Sequence, residues 1–346
     1  MASTGVTTAF APGRVNLIGE HTDYNGGLAI PFAIANGVTV GARPVDGKRI
    51  EAFASDLQEA DSFDLADIAP AKGWRAFVRG TAAELQRTGR ELRGASLEIS
   101  GTVPRGAGLS SSAALAVALG LAFCALAGEL EPDRVELAKL CSVVEHGWVG
   151  AQTGLLDQLA SLFGERSRAV VIDFRSLAIR SVPLELPGHR LVLLDSRESR
   201  ANTASGYNER RAECARACAL LGVSSLRDVT LEETERLPPP IDNRVRHVIG
   251  ENTRVVEAVQ ALGRQDAVAL GHLLDASHES SRDLFEISTE AVEAARDRLL
   301  RAGAIGARLV GGGFGGNVLG LLPSDADDLH GAREVRAAPG ARVTVG

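Results

Sequence analysis

Residues 104–113 read PRGAGLSSSA and carry the clearest structural signal in the sequence. The alternating segment SLEISGTV at 96–103 predicts a β-strand before it. The Ala-rich run at 113–127 predicts a buried helix after it, for which Ser110, Ser111 and Ser112 offer N-caps. A strand, a glycine loop and a helix start in this order point backbone N–H groups and the positive helix end at an anion. The stretch therefore predicts a phosphate site, with serine hydroxyls as further donors and possible Mg²⁺ ligands.

Two better-known phosphate loops are excluded at this position. A Walker A loop needs a Gly-Lys-Ser/Thr ending, and no lysine lies in or near residues 104–113. A Rossmann loop needs a third glycine where Ser111 stands. The residues alone leave one alternative open, a glycine-rich turn between strand and helix whose serines only cap the helix.

A second glycine cluster, GGGFGG, occupies residues 311–316. It formally contains GxGxxG, but the apolar run at 318–322 predicts a strand after it and not a helix. The segment at 307–310 predicts a strand before it, so the dinucleotide interpretation lacks its structural context. A tight hairpin turn and a backbone that passes close to a ligand remain as alternatives.

Polar residues crowd an otherwise apolar N-terminal segment, GRVNLIGEHTDY at 13–24. Arg14, Glu20, His21 and Asp23 are unusually close together beside Val, Leu and Ile. Carboxylates and imidazoles in such a cluster suit the hydroxyl pairs of a polyol. A metal site is poorly supported, because HExxH spacing is absent and one histidine is too few. A solvated charged turn is the other interpretation.

Asp157 is a lone acid in the apolar segment GLLDQ at 154–158. It could serve catalysis, or it could be an acidic residue favoured by the dipole at a helix N-terminus. Glu145 lies twelve residues earlier on a predicted helix, 133–147, and its simplest interpretation is a surface charge.

Composition excludes several other classes of protein. The chain has 346 residues, 45% of them hydrophobic, and a net charge of −7. This length suits two domains with a sizeable core, with a predicted change of domain near 175–190. The negative charge argues against a nucleic-acid partner. The longest apolar run is short for a membrane span, the N-terminus lacks the layout of a signal peptide, and the four cysteines form no CxxC pair. We expect a cytoplasmic protein with free thiols, without membrane contact.

Together these segments resemble the GHMP kinase superfamily. Its three motifs match residues 12–18, 104–113 and 311–316, in the expected order. Within the superfamily, GRVNLIGEHTDYN at 13–25 is similar to the galactokinase signature. Further galactokinase-like stretches lie at 154–158, 207–214, 246–252 and 277–283. The resemblance covers nearly the whole chain.

The resemblance implies an α+β fold of two lobes with the active site in the cleft between them. The N-terminal lobe, 1–180, would be like domain 2 of ribosomal protein S5, and the C-terminal lobe, 181–346, would be ferredoxin-like. The implied reaction is transfer of the γ-phosphate of ATP to O1 of α-D-galactose, with Mg²⁺ as cofactor. The expected partners are these small molecules, and the expected state is a monomer.

The resemblance also assigns roles residue by residue. Asp157 falls on the catalytic aspartate, the presumed base, and Arg14 on the arginine that interacts with it. The sugar-binding positions are Glu20, His21, Thr22, Asp23, Gly154 and Tyr207. The ATP loop comprises Gly106, Ala107, Gly108, Leu109, Ser110, Ser111 and Ser112, and Ser55 loosely matches a nucleotide contact. Ser112 and Glu145 fall on the magnesium ligands.

The chain departs from the family pattern at three places. GIMDQ reads GLLDQ at 154–158, Asn317 stands where cysteine is usual, and TEAVE at 289–293 replaces a Cys-Pro-Glu-Leu-Asp run. These departures leave room for an anomeric kinase acting on N-acetylgalactosamine or arabinose. A non-catalytic sensor of galactose and ATP is the rival from another class, but the intact Ser111-Ser112-Ala113 and Asp157 favour a catalyst.

Overall fold

The computed structural model describes residues 5–104, 108–198 and 203–346. Within them the chain forms three β-sheets packed against α-helices, so the predicted α+β class is observed. None of the helices in these ranges combines the length and the apolar character needed to span a bilayer.

The largest sheet has six strands in the order β13-β1-β3-β6-β4-β5. The pairs are antiparallel except for β4 with β6. The last strand of the chain returns to pair with the first, so the sheet joins both ends of the sequence. The strands are β1 (Thr7–Asn16), β3 (Pro31–Pro44), β4 (Arg49–Ala54), β5 (Glu59–Asp64), β6 (Ala95–Gly101) and β13 (Arg342–Val345).

Four helices accompany this sheet: α1 (Trp74–Arg87), α2 (Ser111–Leu126), α3 (Arg134–Val144) and α4 (Leu156–Phe163). Helix α2 is apolar on nearly every side, and this pattern is typical of a helix surrounded by protein. It packs on β1 and β3 and against the other three helices. The phosphate-loop helix is therefore fixed in the centre of the first core.

The second half of the described chain contains four further α-helices. They are α5 (Thr203–Leu221), α6 (Ile241–Gly263), α7 (Ala267–Asp283) and α8 (Glu290–Arg301). A four-stranded sheet in the order β10-β11-β9-β12 packs with them. Its strands are β9 (His189–Asp195), β10 (Gly306–Leu309), β11 (Asn317–Pro323) and β12 (Ala332–Val335), and a smaller sheet holds β2 (Leu28–Ala29), β7 (Arg168–Asp173) and β8 (Ala178–Pro183).

Most strongly patterned segments fold as their sequences predict. The strand before the phosphate loop, the buried helix after it and the helices over 245–302 are all present, with ends shifted by a few residues. The glycine cluster at 311–316 does connect two strands, β10 and β11. The predicted helix 133–147 is shorter, because α3 ends at Val144 and a π-helical turn, Glu145–Val149, follows it.

Strand β1 passes unusually close to the phosphate loop. A β-bulge between Pro12 and Arg14 interrupts its pairing with β3. The backbone N–H of Arg14 then donates to the carbonyl of Leu109 at 3.1 Å. A Cβ on Gly13 would lie 2.4 Å from that same carbonyl oxygen, so only glycine permits this approach. The bulge and the glycine therefore bring Arg14 beside the loop.

Candidate active site

One cavity of about 510 Å³ contains most of the predicted site residues. Segments from both halves of the chain form its walls. Those from the first half include the turn of residues 19–28 (the polar turn), the phosphate loop and the segment 150–157. The second half contributes Tyr207 and Asn208 of α5 and the glycines at 311 and 312.

Asp157 lies in the first turn of α4 and receives hydrogen bonds on both carboxylate oxygens. Arg14 donates to Oδ1 through Nε at 2.7 Å and through Nη2 at 2.6 Å. The Ser110 hydroxyl donates to Oδ2 at 2.5 Å. Arg14 also donates through Nη1 to the carbonyl of Gly108 at 2.7 Å. The arginine thus joins the carboxylate to the phosphate loop.

The described part of the phosphate loop begins at Gly108, because Gly106 and Ala107 lie outside the described residues. Ser110 is the N-cap residue of α2, with φ of +61°, but its side chain makes no capping bond. Its hydroxyl donates to Asp157 instead, so the expected cap is replaced by a contact within the site. Gly108, Leu109, Ser111 and Ser112 also line the cavity at this helix N-terminus.

Glu20 lies at the base of the cavity and is buried. Its Oε1 accepts from the backbone N–H of Gly311 at 2.8 Å and lies 3.3 Å from Nη1 of Arg308. Burial raises the pKa of Glu20 above its ordinary value, although Arg308 and the Gly311 amide partly offset that rise. The second glycine cluster thus approaches the polar turn.

Asp23 and Gly154 touch across the cavity. A Cβ on Gly154 would lie only 1.9 Å from Oδ2 of Asp23. Burial raises the pKa of Asp23 to about 6, and the nearby Asp157 and Glu20 contribute in the same direction. This carboxylate is therefore close to its protonation midpoint in mildly acidic solution.

Three aromatic rings meet beside Asp23. The ring of His21 lies 5.0 Å from that of Tyr207 and 5.8 Å from that of Tyr24, between centroids. The His21 Nδ1 atom accepts from the Tyr24 hydroxyl at 2.7 Å, and Nε2–H donates to the carbonyl of Gly312 at 3.3 Å. Burial lowers the pKa of His21 to about 3, so the imidazole is neutral near pH 7. Such a wall can pack against a sugar ring.

Glu145 is buried, and its interpretation as a surface charge is wrong. Its Oε2 accepts from Gln158 at 2.7 Å and from Thr153 at 3.0 Å. Burial raises the pKa of Glu145 to about 7, with Asp157 adding to the effect. The side chain faces the same cavity as Ser112. Because the charge of Asp157 disfavours the ionised form of Glu145, a positive charge nearby would favour that form.

Two predicted residues lie away from the cavity wall. The Thr22 hydroxyl is buried and is placed to donate to the carbonyls of Gly19 and Leu28, at 2.9 and 2.7 Å. The Thr22 hydroxyl therefore stabilises the backbone conformation of the polar turn and does not face the cavity. The Ser55 hydroxyl donates to the carbonyl of Ile99 at 3.1 Å, next to β6, and Ser55 is not among the described residues that line the cavity.

Sequence reasoning missed the arginine beneath Glu20. Arg308 is fully buried in β10, and its Nη1 also donates to the carbonyls of Asn16 and Leu17, at 3.1 and 3.2 Å. An arginine inside a predicted apolar strand is the signal that could have found it, because a buried guanidinium requires partners. It links the second glycine cluster to the N-terminal segment.

Comparison with protein families covers all three regions of the site. Residues 2–44 match the galactokinase galactose-binding signature. Residues 76–165 match the N-terminal domain of GHMP kinases, and residues 258–340 match the C-terminal domain. These ranges contain the polar turn, the phosphate loop with Asp157, and the second glycine cluster.

Full-length relatives and solved structures agree with these matches. The chain is 41% identical to a galactokinase of Actinobacillus succinogenes over 92% of this chain and 86% of that one. It is 44% identical to a galactokinase of Mycobacterium tuberculosis, over 91% and 88%. The crystal structure of Lactococcus lactis galactokinase complexed with galactose superposes with a TM-score of 0.90 at 32% identity, covering 97% and 94%. Methanococcus jannaschii mevalonate kinase shares the fold, with a TM-score of 0.68 at 20% identity over 98% and 99%. The GHMP kinase fold expected from the sequence is thereby confirmed, and the chain belongs to the galactokinase family.

Proposed function

We propose that this protein transfers the γ-phosphate of ATP to O1 of α-D-galactose, giving galactose 1-phosphate and ADP. One observation carries the proposal beyond family membership. Asp157 accepts hydrogen bonds from Arg14 and Ser110 in a cavity that has the polar turn on one side and the phosphate loop on the other. A sugar hydroxyl and a phosphate chain could therefore meet at this carboxylate.

The sugar would lie against the polar turn. Glu20 and Asp23 offer carboxylate oxygens to hydroxyl groups, and His21 adds the face of a neutral ring. Gly154 leaves room beside Asp23, where any side chain would occupy the position of the carboxylate. Tyr207 would close the pocket from α5. We propose that Thr22 supports this set by fixing the turn, since both of its hydroxyl contacts are to backbone carbonyls.

The nucleotide would bind through the loop 106–112. Backbone N–H groups at the start of α2, together with the positive end of the helix dipole, favour phosphate oxygens at this position. Ser111 and Ser112 add hydroxyl donors. We retain Ser55 as a proposed nucleotide contact, because it lies beside β6, the strand that leads into the loop.

The proposed chemical step is a direct transfer. The O1–H proton of galactose passes to Asp157, the bond from O1 to the γ-phosphorus forms, and the bond from that phosphorus to the bridging oxygen of ADP breaks. Arg14 fixes Asp157 and places positive charge near the transferring group. Phosphoryl transfer depends mainly on positioning and charge neutralisation, and general-base help contributes about 10²–10⁴ in rate.

The residues present fit a magnesium ion. No group of three or more His, Cys, Asp or Glu side chains within the described ranges could hold a metal by itself. Mg²⁺ commonly binds through one or two protein oxygens together with substrate phosphates and water. Ser112 and the buried carboxylate of Glu145 would supply those oxygens, and the ion would neutralise phosphate charge when bound.

We propose that residues 1–180 and 181–346 form the two lobes, with β13 returning to the first. The four-stranded sheet supports this division, since β9 to β12 pair only with one another among the described strands. The boundary itself falls within β8, which pairs with β7 of the first lobe. We also propose that the enzyme acts as a monomer in the cytoplasm. All four cysteines are free, as is usual for proteins of a reducing compartment.

A sugar panel tests the proposed function. The purified protein would be assayed with Mg²⁺–ATP and galactose, N-acetylgalactosamine, arabinose or glucose, and kcat/KM compared. We expect galactose to give the highest value, and phosphorus NMR to show an anomeric phosphate. A clear preference for another sugar would refute the galactose assignment. Absence of turnover with every sugar would refute the catalytic one.

A further inference from the structure

Helix α6 presents one polar face to the backbone of the turn at 19–28. His247 and Glu251 are four residues apart and lie on one face of the helix, and Asn252, the residue after Glu251, lies at the edge of that face. Each of them makes a hydrogen bond to backbone groups of the turn. None of the three is among the described residues that line the cavity, so they contact the turn from outside it.

Glu251 makes the largest number of these contacts. Its Oε1 accepts from the backbone N–H groups of Gly19 and Glu20, at 2.9 and 3.2 Å, and from the Ser277 hydroxyl at 2.7 Å. Its Oε2 accepts from Nε of Arg254 at 2.7 Å. Burial opposes the charge, but Arg254, Arg308 and the hydrogen bond from Ser277 outweigh it and lower the pKa of Glu251. The carboxylate is therefore a buried, charged acceptor for two consecutive amides.

His247 and Asn252 add one contact each. Burial lowers the pKa of His247 to about 4, so its ring is neutral near pH 7. Nδ1 accepts from the Ser280 hydroxyl at 2.8 Å, and Nε2–H donates to the carbonyl of Glu20 at 3.2 Å. Asn252 accepts from the backbone N–H of Leu28 at 2.8 Å.

The turn needs this support because its backbone conformation is unfavourable by itself. His21 has φ of +58°, in the left-handed region that residues other than glycine rarely adopt, and Gly19 has φ of +100°. Such conformations persist where the surrounding structure imposes them. Helix α6 provides that restraint, because it accepts hydrogen bonds from the amides of Gly19, Glu20 and Leu28 at the two ends of the turn.

We propose that Glu251 is a positioning residue for sugar binding. Through the amides of Gly19 and Glu20 it sets the orientation of the Glu20 carboxylate and the His21 ring, and it acts without touching the sugar. The inference rests on the proposed function, in which these two side chains bind galactose. It makes affinity for the sugar depend on a helix of the second half of the chain.

Glu251→Gln tests the proposal. The variant keeps the shape of the side chain but removes its negative charge. Its NH₂ group must face either Arg254 or the two amides, and it cannot accept a hydrogen bond from whichever it faces. We expect KM for galactose to rise about tenfold, with KM for ATP changed by less than about twofold. Thr234→Val is the matched control. The Thr234 hydroxyl is also buried and donates to Leu231 at 2.6 Å, away from the cavity, so this variant should lower Tm and change neither KM.

Amide hydrogen exchange, measured without sugar, distinguishes a positioning role of Glu251 from a role in stability alone. The amides of Gly19 and Glu20 should exchange faster in Glu251→Gln than in the parent protein or the control. Faster exchange together with a raised sugar KM supports the proposal. An unchanged sugar KM, with only Tm lowered, overturns it. If the parent phosphorylates another sugar in place of galactose, the substrate assignment fails, and KM for that sugar tests the positioning role. If Glu251→Gln does not fold, Ser277→Ala removes the hydroxyl that donates to the same Oε1 of Glu251 and is subject to the same criteria.

Discussion

Arg14 and Asp157 are 143 residues apart in sequence, yet Nε and Nη2 of the arginine lie 2.7 and 2.6 Å from Oδ1 of the aspartate. The same guanidinium donates to the carbonyl of Gly108, so one side chain spans the carboxylate and the phosphate loop. Two donors of one planar guanidinium on the same carboxylate oxygen fix its position better than a single point charge does. The pair therefore orients the proposed base relative to the nucleotide.

Asp157→Asn should reduce kcat by about 10²–10⁴, because the amide cannot take the proton from O1. The dissociation constant for ATP, measured by calorimetry, should change little. Asp61→Asn is the matched control, since Asp61 also pairs with an arginine, Arg79, at 2.7 Å, on β5 far from the cavity. The control should lose stability, by about 1–3 kcal/mol, and keep kcat. A near-normal kcat in Asp157→Asn would contradict the proposed base.

Gly154→Ala should weaken galactose binding. The new Cβ would lie 1.9 Å from Oδ2 of Asp23 and must displace that carboxylate. We expect KM for galactose to rise at least about tenfold, the loss typical of one charged hydrogen bond. Gly147→Ala is the control, because a Cβ there would meet no atom within 4 Å. Equal sugar KM values for the two variants would show that Asp23 is not needed at its present position.

Acidic pH should weaken sugar capture through Asp23. Burial raises the pKa of Asp23 from its ordinary 3.8 to about 6. The side chain is therefore a full acceptor above pH 6 and becomes protonated below it. At saturating Mg²⁺–ATP, kcat/KM for galactose should fall as pH drops through about 6, by up to about tenfold per unit. Asp23→Asn should have a lower kcat/KM and should lack this limb. If kcat/KM of Asp23→Asn still falls at acidic pH with the same midpoint, a group other than Asp23 is responsible for the titration.

Glu145 should make the free protein less stable as pH rises. Burial and Asp157 raise its pKa from an ordinary 4.5 to about 7 in the folded state. The folded state thus binds this proton more tightly than the unfolded chain does. The resulting stabilisation is fully present below about pH 4.5 and is lost as pH rises through 7. Glu145→Gln should remove this dependence and raise Tm at pH 8, as measured by calorimetry.

The same variant tests the proposed magnesium ligand. Addition of Mg²⁺–ADP at pH 8 should raise Tm of the parent protein more than that of Glu145→Gln, because the charged carboxylate gains a cation. Glu136→Gln, on the exposed face of α3, is the control and should behave like the parent. If Mg²⁺–ADP raises Tm equally in all three proteins, Glu145 is not a magnesium ligand.

Local sequence patterns determined much of this protein. The alternation at 96–103, the Ala-rich run after the phosphate loop and the glycine cluster at 311–316 each predicted an element that is present. These patterns can be recognised in the sequence because the hydrogen bonds of a helix and the alternating faces of a strand depend on residues close together in the chain. The region 45–90 gave no such prediction, although β4, β5 and α1 form there.

The identity of the site residues also came from sequence, through motifs that keep Arg14, Glu20, His21, Asp23 and Asp157 in recognisable contexts. The packing of distant segments, by contrast, sets how these side chains are held. Glu145 is a buried carboxylate and not a surface charge, and the Ser110 hydroxyl contacts Asp157 in place of capping its helix. The polar turn is fixed by Arg308 and Glu251, 288 and 231 residues from Glu20. Burial and contacts between distant segments arise only when the sheets and helices pack, so no local pattern encodes them.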